Sequence, residues 1–158
     1  MKPWFAPLNP RLDAWSGRTV WIVGASSGIG LALAEQLSRA GARVVVSARR
    51  ADALHAWVHT GSGRFACPLD VTDAPAVQAA VTDVCATHGV PDLVVYAAGI
   101  YRPQQADAWD ADESRAHCAV NYLGAVTLAA LLVPRMCAEG RGHLSFISSV
   151  AGYRGLPQ

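Results

Sequence analysis

The chain has 158 residues, a natural length for one domain, and it is 52% apolar and 16% charged, which excludes a disordered segment and requires a buried core. Its formal net charge is +1, and its arginines are scattered along the chain. No concentrated basic surface is available for a nucleic-acid backbone or an anionic membrane, so neither is expected as a partner.

Met1 to Trp15 carries Lys2 but is interrupted by Pro3, Pro7 and Pro10 before the apolar core of a signal peptide could form. Positions 1–17 therefore read as an N-terminal extension and positions 18–158 as the domain, with the cytoplasm as its expected location. Thr19 to Val23 is a β-branched and aromatic run ending at Gly24, the pattern of a buried parallel strand. From Ile29, the residues Ile29, Leu33 and Leu37 recur at helical spacing until Gly41. Arg43 to Ser47 predicts a second strand, Ala51 to His59 a short helix, and Arg64 to Cys67 a third strand. A helix over Ala74 to His88 and a strand over Asp92 to Tyr96 follow. A long helix over Asp112 to Cys137, kinked by Pro134 or ending near it, leads to a fifth strand over His143 to Ser148.

Strands alternating with helices need crossover connections, and these generate a parallel sheet. The fold class is α/β: a doubly wound Rossmann-type sheet of about five strands with helices on both faces, incomplete at its C-terminal side. The longest apolar stretch, Leu123 to Val133, falls short of the roughly 20 residues that cross a bilayer. Cys67, Cys85, Cys118 and Cys137 lack the close pairing of a zinc site and are expected to be small buried hydrophobes. No metal site is expected.

The chemistry concentrates at Gly24-Ala25-Ser26-Ser27-Gly28-Ile29-Gly30. A diphosphate requires N–H donors and close backbone approach, and a helix N-terminus after a glycine turn offers both. Taken by itself the segment is also consistent with an ordinary tight strand-to-helix turn. Its place inside a βαβ unit favours dinucleotide binding, with Ser26 and Ser27 adding hydroxyls and Ile29 lying within the turn.

At Val23 to Gly30 the spacing Gly-x-x-x-Gly-x-Gly resembles the fingerprint of the short-chain dehydrogenase/reductase family, with Val23 where the family usually has threonine. The resemblance continues at Leu69-Asp70-Val71, implying that Asp70 approaches the adenine amino group beside Val71; a helix cap or loop carboxylate is the plainer alternative. At Tyr96-Ala97-Ala98-Gly99, the residues Ala98 and Gly99 match the family's cofactor-packing segment. Its two asparagines are replaced by Tyr96 and Ala97, which are expected to leave the bracing of the central strand to other groups.

A carboxylate at the end of the second strand would bind a ribose 2′-hydroxyl and repel a 2′-phosphate. Ala48 stands there, followed by Arg49 and Arg50, whose guanidinium groups suit phosphate if they are not simply solvated. NADP(H) is thus favoured, with NAD(H) possible. Asp52, the nearest carboxylate, is expected to cap the helix that follows.

The resemblance implies hydride transfer between a nicotinamide and a carbonyl or alcohol substrate. Asn121 is placed as the helix asparagine of a water relay and Ser149 as the catalytic serine; an interior amide and a strand-end hydroxyl are their structural alternatives. The family's Tyr-x-x-x-Lys pair is expected past Gln158, because only nine residues follow Ser149 and Lys2 is the single lysine. The chain is accordingly expected to be a truncated enzyme, inactive alone, with apolar surface exposed where further segments would pack, and a homo-oligomer at full length. Tyr101, Arg102 and Tyr153 stand where either a substrate entrance or plain surface loops would lie. Two other classes compete: a non-catalytic dinucleotide-binding or regulatory module, and a Rossmann-like methyltransferase, against which the glycine spacing, Asp70-Val71 and Ser148-Ser149 weigh.

Overall fold

The computed structural model describes residues 14–154. The expected N-terminal extension lies outside the described residues as far as position 13. Five strands, β1 (Thr19–Val23), β2 (Arg43–Ser47), β3 (Arg64–Ala66), β4 (Leu93–Tyr96) and β5 (His143–Phe146), form one parallel sheet in the order β3-β2-β1-β4-β5. Between them run α1 (Gly28–Arg39), α2 (Ala51–Val58), α3 (Ala74–His88), α4 (Ala111–Cys118) and α5 (Gly124–Glu139). The chain winds outward from β1 to β3, then returns to the other side of β1, as the doubly wound reading requires.

The period of two along each strand sorts the side chains into two cores. Trp21, Val23, Val45, Val94 and Tyr96 face α3 and α5, which contribute Val77, Val81, Val84, Leu128, Leu132 and Met136. Val20, Ile22, Val44, Val46 and Val95 face α1 and α2, which contribute Ala34, Leu37, Leu54 and Trp57. One polar pair is sealed within the sheet: the Trp21 indole Nε1 donates to Ser47 Oγ at 2.9 Å, and both residues are fully buried.

Most element boundaries match the sequence pattern, and the departures are local. The ladder of β3 stops at Ala66, although Cys67 N still donates to Val46 O at 2.9 Å. Similarly β5 ends at Phe146, with Ile147 N donating to Tyr96 O. Pro134 neither ends α5 nor lies at its terminus; the helix runs on to Glu139 and closes at Gly140. Asp52 does not cap α2: Arg50 holds the cap position without a side-chain bond, and Asp52 sits within the first turn, where its charge meets the helix dipole. Of the four free cysteines, Cys67 and Cys85 are half-buried but Cys118 and Cys137 are exposed, so only the first two suit the expectation of buried hydrophobes.

The long helix is the largest departure. Between α4 and α5 lies a π turn, Ala119–Leu123, and the three segments together span Ala111–Glu139. By length and composition this 29-residue stretch, with a mean hydropathy of 1.7 in its most apolar window, could cross a membrane. The expectation that no apolar helix reaches that length, drawn from Leu123 to Val133 alone, is therefore corrected. Leu128, Leu132 and Met136 pack into the sheet core, while Tyr122, Leu123, Val126 and Val133, with Phe146 at the end of β5 and Ile147 just past it, are exposed.

Replacing Ser47 with alanine would strand the buried Trp21 N–H. Urea denaturation of Ser47→Ala should show a loss of about 1–3 kcal/mol, whereas an unchanged midpoint would mean that the indole finds another partner.

Candidate functional site

A cleft of about 350 Å³ opens at the C-terminal ends of the strands, where the winding reverses between β1 and β4. Gly24 ends β1 here with φ +97°, and a Cβ on it would lie 2.3 Å from Ala98 N. Gly30 is as constrained, since its Cβ would fall 2.3 Å from the Gly24 carbonyl oxygen. These two contacts draw the start of α1 and the strand ends together. A Cβ on Gly28, by contrast, would meet nothing within 4 Å, so this glycine faces open cleft.

Two donors fix the turn from below: Gly24 N and Ala25 N both donate to Ser47 O, at 2.7 and 3.1 Å. Ser27 takes the N-cap position of α1 in extended conformation without a side-chain cap bond. The first turn of α1 carries no acidic side chain. The helix thus presents a bare positive end to the cleft.

All twelve residues expected to bind the cofactor line this cleft: Gly24, Ser26, Ser27, Gly28, Ile29, Gly30, Arg49, Arg50, Asp70, Val71, Ala98 and Gly99. The two arginines divide their tasks. Arg50 Nη2 donates to Ser26 O at 3.2 Å and to Ser26 Oγ at 3.4 Å, bracing the glycine turn, while Arg49 has no hydrogen bond or ion pair among the described residues. Thr72 donates from N and Oγ1 to Asp70 Oδ1 at 2.9 and 2.7 Å. These two bonds, followed by the charge of Arg49, hold the Asp70 carboxyl below the usual carboxylate range.

Neither expected catalytic residue is itself among the residues lining that cleft. Asn121, inside the π turn, borders an adjoining apolar groove with Tyr122, Val126, Phe146 and Ser148. Its amide is committed to Ile100: Oδ1 accepts from Ile100 N at 2.8 Å and Nδ2 donates to Ile100 O at 2.9 Å. Ser149 lines neither concavity; it is exposed at the N-cap of a short 3₁₀ turn, Val150–Gly152, where its Oγ accepts from Ala151 N at 3.1 Å. The loop after β4 is pinned further on, where Arg102 N donates to His117 Nε2 at 2.9 Å and the Arg102 guanidinium pairs with Glu113. Tyr101 and Tyr153 are exposed.

Some of the cleft was not anticipated. Val23, Ala48, Leu69, Ala97, Ile100, Val120 and Ile147 also line it. They cluster at or just past the strand ends and in the π turn, and adjacency to the winding reversal was the signal that could have found the former. The expectation that Tyr96 leaves bracing to other groups is corrected: its hydroxyl donates to Val120 O and ties β4 to the π turn. Burial, and secondarily the negative charge of Asp70, pushes the Tyr96 phenol up to about 12.

Compared with known proteins, residues 18–158 match the family model described as short chain dehydrogenase. The chain is 35% identical to "Dehydrogenase/reductase SDR family protein 7-like" of Drosophila melanogaster, over 90% of this chain and 46% of that protein. A short-chain dehydrogenase structure from Streptomyces avermitilis superposes with a TM-score of 0.83 at 34% identity, covering 87% of this chain and 51% of the other. A gluconate 5-dehydrogenase from Burkholderia cenocepacia, in complex with NADP and tartrate, superposes with a TM-score of 0.79 at 32% identity, covering 90% and 57%. The chain spans about half the length of the curated relatives it matches.

The Tyr96 shift has a defined consequence for stability. A folded-state pKa above the ordinary tyrosine value of about 10 favours the protonated phenol in the folded protein. Its contribution is present in full below about pH 10 and is lost as pH rises through about 12. Denaturation midpoints should fall across that alkaline window, and Tyr96→Phe should flatten the fall; an identical slope in the variant would refute the assignment.

Proposed function

Because the chain belongs to the short-chain dehydrogenase/reductase family, an oxidoreductase family, we propose that its cleft binds NADP(H) in preference to NAD(H), in a protein that acts on a small carbonyl or alcohol substrate. The observation that carries this reading is the cradle. Gly24 and Gly30 leave no room for a side chain, Gly28 opens on free space, and the uncapped start of α1 faces the same space. That is the donor set a diphosphate requires.

Gly24 to Gly30, with Ser26 and Ser27, would hold the diphosphate. Asp70 and Val71 would receive the adenine, and Ala98 and Gly99 would pack against the dinucleotide. Arg49 supports the NADP(H) preference, because its guanidinium stands just past β2 at the cleft with no hydrogen bond or ion pair among the described residues, and no acid lies on that strand. Arg50, bound to Ser26, would keep the turn in shape. When bound, the nicotinamide supplies or accepts the hydride.

Asn121 and Ser149 would serve the substrate side, Ser149 by orienting a substrate oxygen and Asn121 by maintaining a water relay beside the Ile100 loop that it anchors. The proton requires another group. Tyr96 lies nearby, but its phenol is displaced upward to about 12, the wrong direction for proton transfer near neutral pH. Our reading is that residues 14–154 bind the dinucleotide, that turnover requires a tyrosine–lysine pair they do not contain, and that the full-length enzyme is a homo-oligomer. Exposed Tyr122, Val126, Val133 and Phe146 support the last point. A cytoplasmic location belongs to the same reading; Leu128, Leu132 and Met136 pack one face of α5 on the sheet.

Fluorescence titration with NADPH and NADH tests the cofactor assignment. The parent should prefer NADPH, and Arg49→Asp should weaken NADPH binding roughly 10- to 100-fold, the range of a charge-assisted hydrogen bond, with NADH binding preserved. Equal affinities in the parent, or an unaffected variant, would remove Arg49 from the phosphate site.

A further inference from the structure

We propose that Tyr96 is a positioning residue whose hydroxyl holds the π turn in the register that keeps Asn121 on Ile100, and so shapes the rim of the cleft. The π turn shifts the helical pairing by one residue: Gly124 N–H donates to Ala119 O, five residues back, rather than to Val120 O. The Val120 carbonyl accepts from Tyr96 instead. A carbonyl left without a partner beside the core is costly, so the phenol and the register support one another.

Space at this point is shaped for the hydroxyl. A Cβ on Gly124 would lie 2.5 Å from Tyr96 Oη and 3.0 Å from both Val71 Cβ and Val71 O. A side chain at position 124 and a hydroxyl on residue 96 therefore compete for the same volume. The junction joins the end of β4, the loop after β3 and the π turn. The residue after Val120 is Asn121, whose amide makes the two-point bond with Ile100. Val71, Val120 and Ile100 all line the cleft, so a change of register at Val120 reaches its wall at three places.

The register claim stands on these contacts alone; its effect on ligand affinity rests on the dinucleotide reading of the cleft. Hydrogen exchange on the full chain reads the first, and NADPH titration of the same samples reads the second. In Tyr96→Phe the ring packing is retained while the donor is lost. Amides from Ala119 to Gly124 and that of Ile100 should exchange about tenfold faster, those of Val20 to Val23 should keep the parental rate, and NADPH should bind several-fold more weakly. Gly124→Ala should open the same segment by collision, and combining it with Tyr96→Phe should perturb less than the sum of the two, because the colliding oxygen is gone. Parental exchange at Ile100 in Tyr96→Phe would overturn the proposal, as would a uniform loss of protection across the sheet. If the parent binds no NADPH, the dinucleotide reading fails, and the exchange pattern still decides the role of Tyr96.

Discussion

The contact between the end of β1 and the loop leaving β4 is the constraint from which the rest of the site follows. At Gly24 the two backbones approach so closely that a single added carbon would overlap Ala98, and at Gly30 the first turn of α1 presses on the Gly24 carbonyl in the same way. The parallel order of strands brings these ends side by side, and the absence of side chains lets them close up. A helix N-terminus is thereby aimed into a crevice whose walls are strand ends. Its positive character can only be met by a ligand or by water, since no acid occupies the first turn.

Around that fixed centre, polar groups are arranged to hold loops rather than to react. Ser47 is the clearest case: its carbonyl takes two amides of the glycine turn while its hydroxyl takes the Trp21 indole, so one buried residue anchors both the site and the sheet beneath it. Arg50 does similar work on the outside of the turn, and Asn121 on the loop after β4. The groups left without such duties, Arg49 and the unpaired start of α1, are those best placed to meet an anion. Division of labour between the adjacent arginines is a statement about geometry that their sequence could not make.

Much of this was legible in the residues. Val-Val-Val in β2 and Thr-Val-Trp-Ile-Val in β1 carry the unbroken apolar signature of strands covered on both faces, and the glycine spacing marks the cleft. What escaped were features decided by register or by distance. A π turn differs from an α-helix by one hydrogen-bond step and leaves no mark on apolar spacing, so Asp112 to Cys137 reads as one long helix with Pro134 as its single irregularity. Tyr96 and Val120 are 24 residues apart, and nothing local says that a phenol will reach that carbonyl. Asp52 departs from its expected capping role for a related reason: cap and first-turn positions differ by two residues, and sequence places a helix start no more closely than that. The backbone bonds that place Asn121 on Ile100 and Ser149 on Ala151 are likewise set by the fold and not by the local sequence.

The account stands on the claim that the start of α1 and the strand ends around it receive a dinucleotide. Amide chemical-shift mapping of the isotope-labelled protein during NADPH addition tests this most directly. The predicted result is a contiguous set of shifts at Gly24 to Gly30, Arg49, Asp70 and Ala98 to Ile100, with the far side of the sheet unmoved. Shifts confined to the apolar groove at Tyr122, Val126 and Phe146, or none at the glycine turn at saturating ligand, would contradict it.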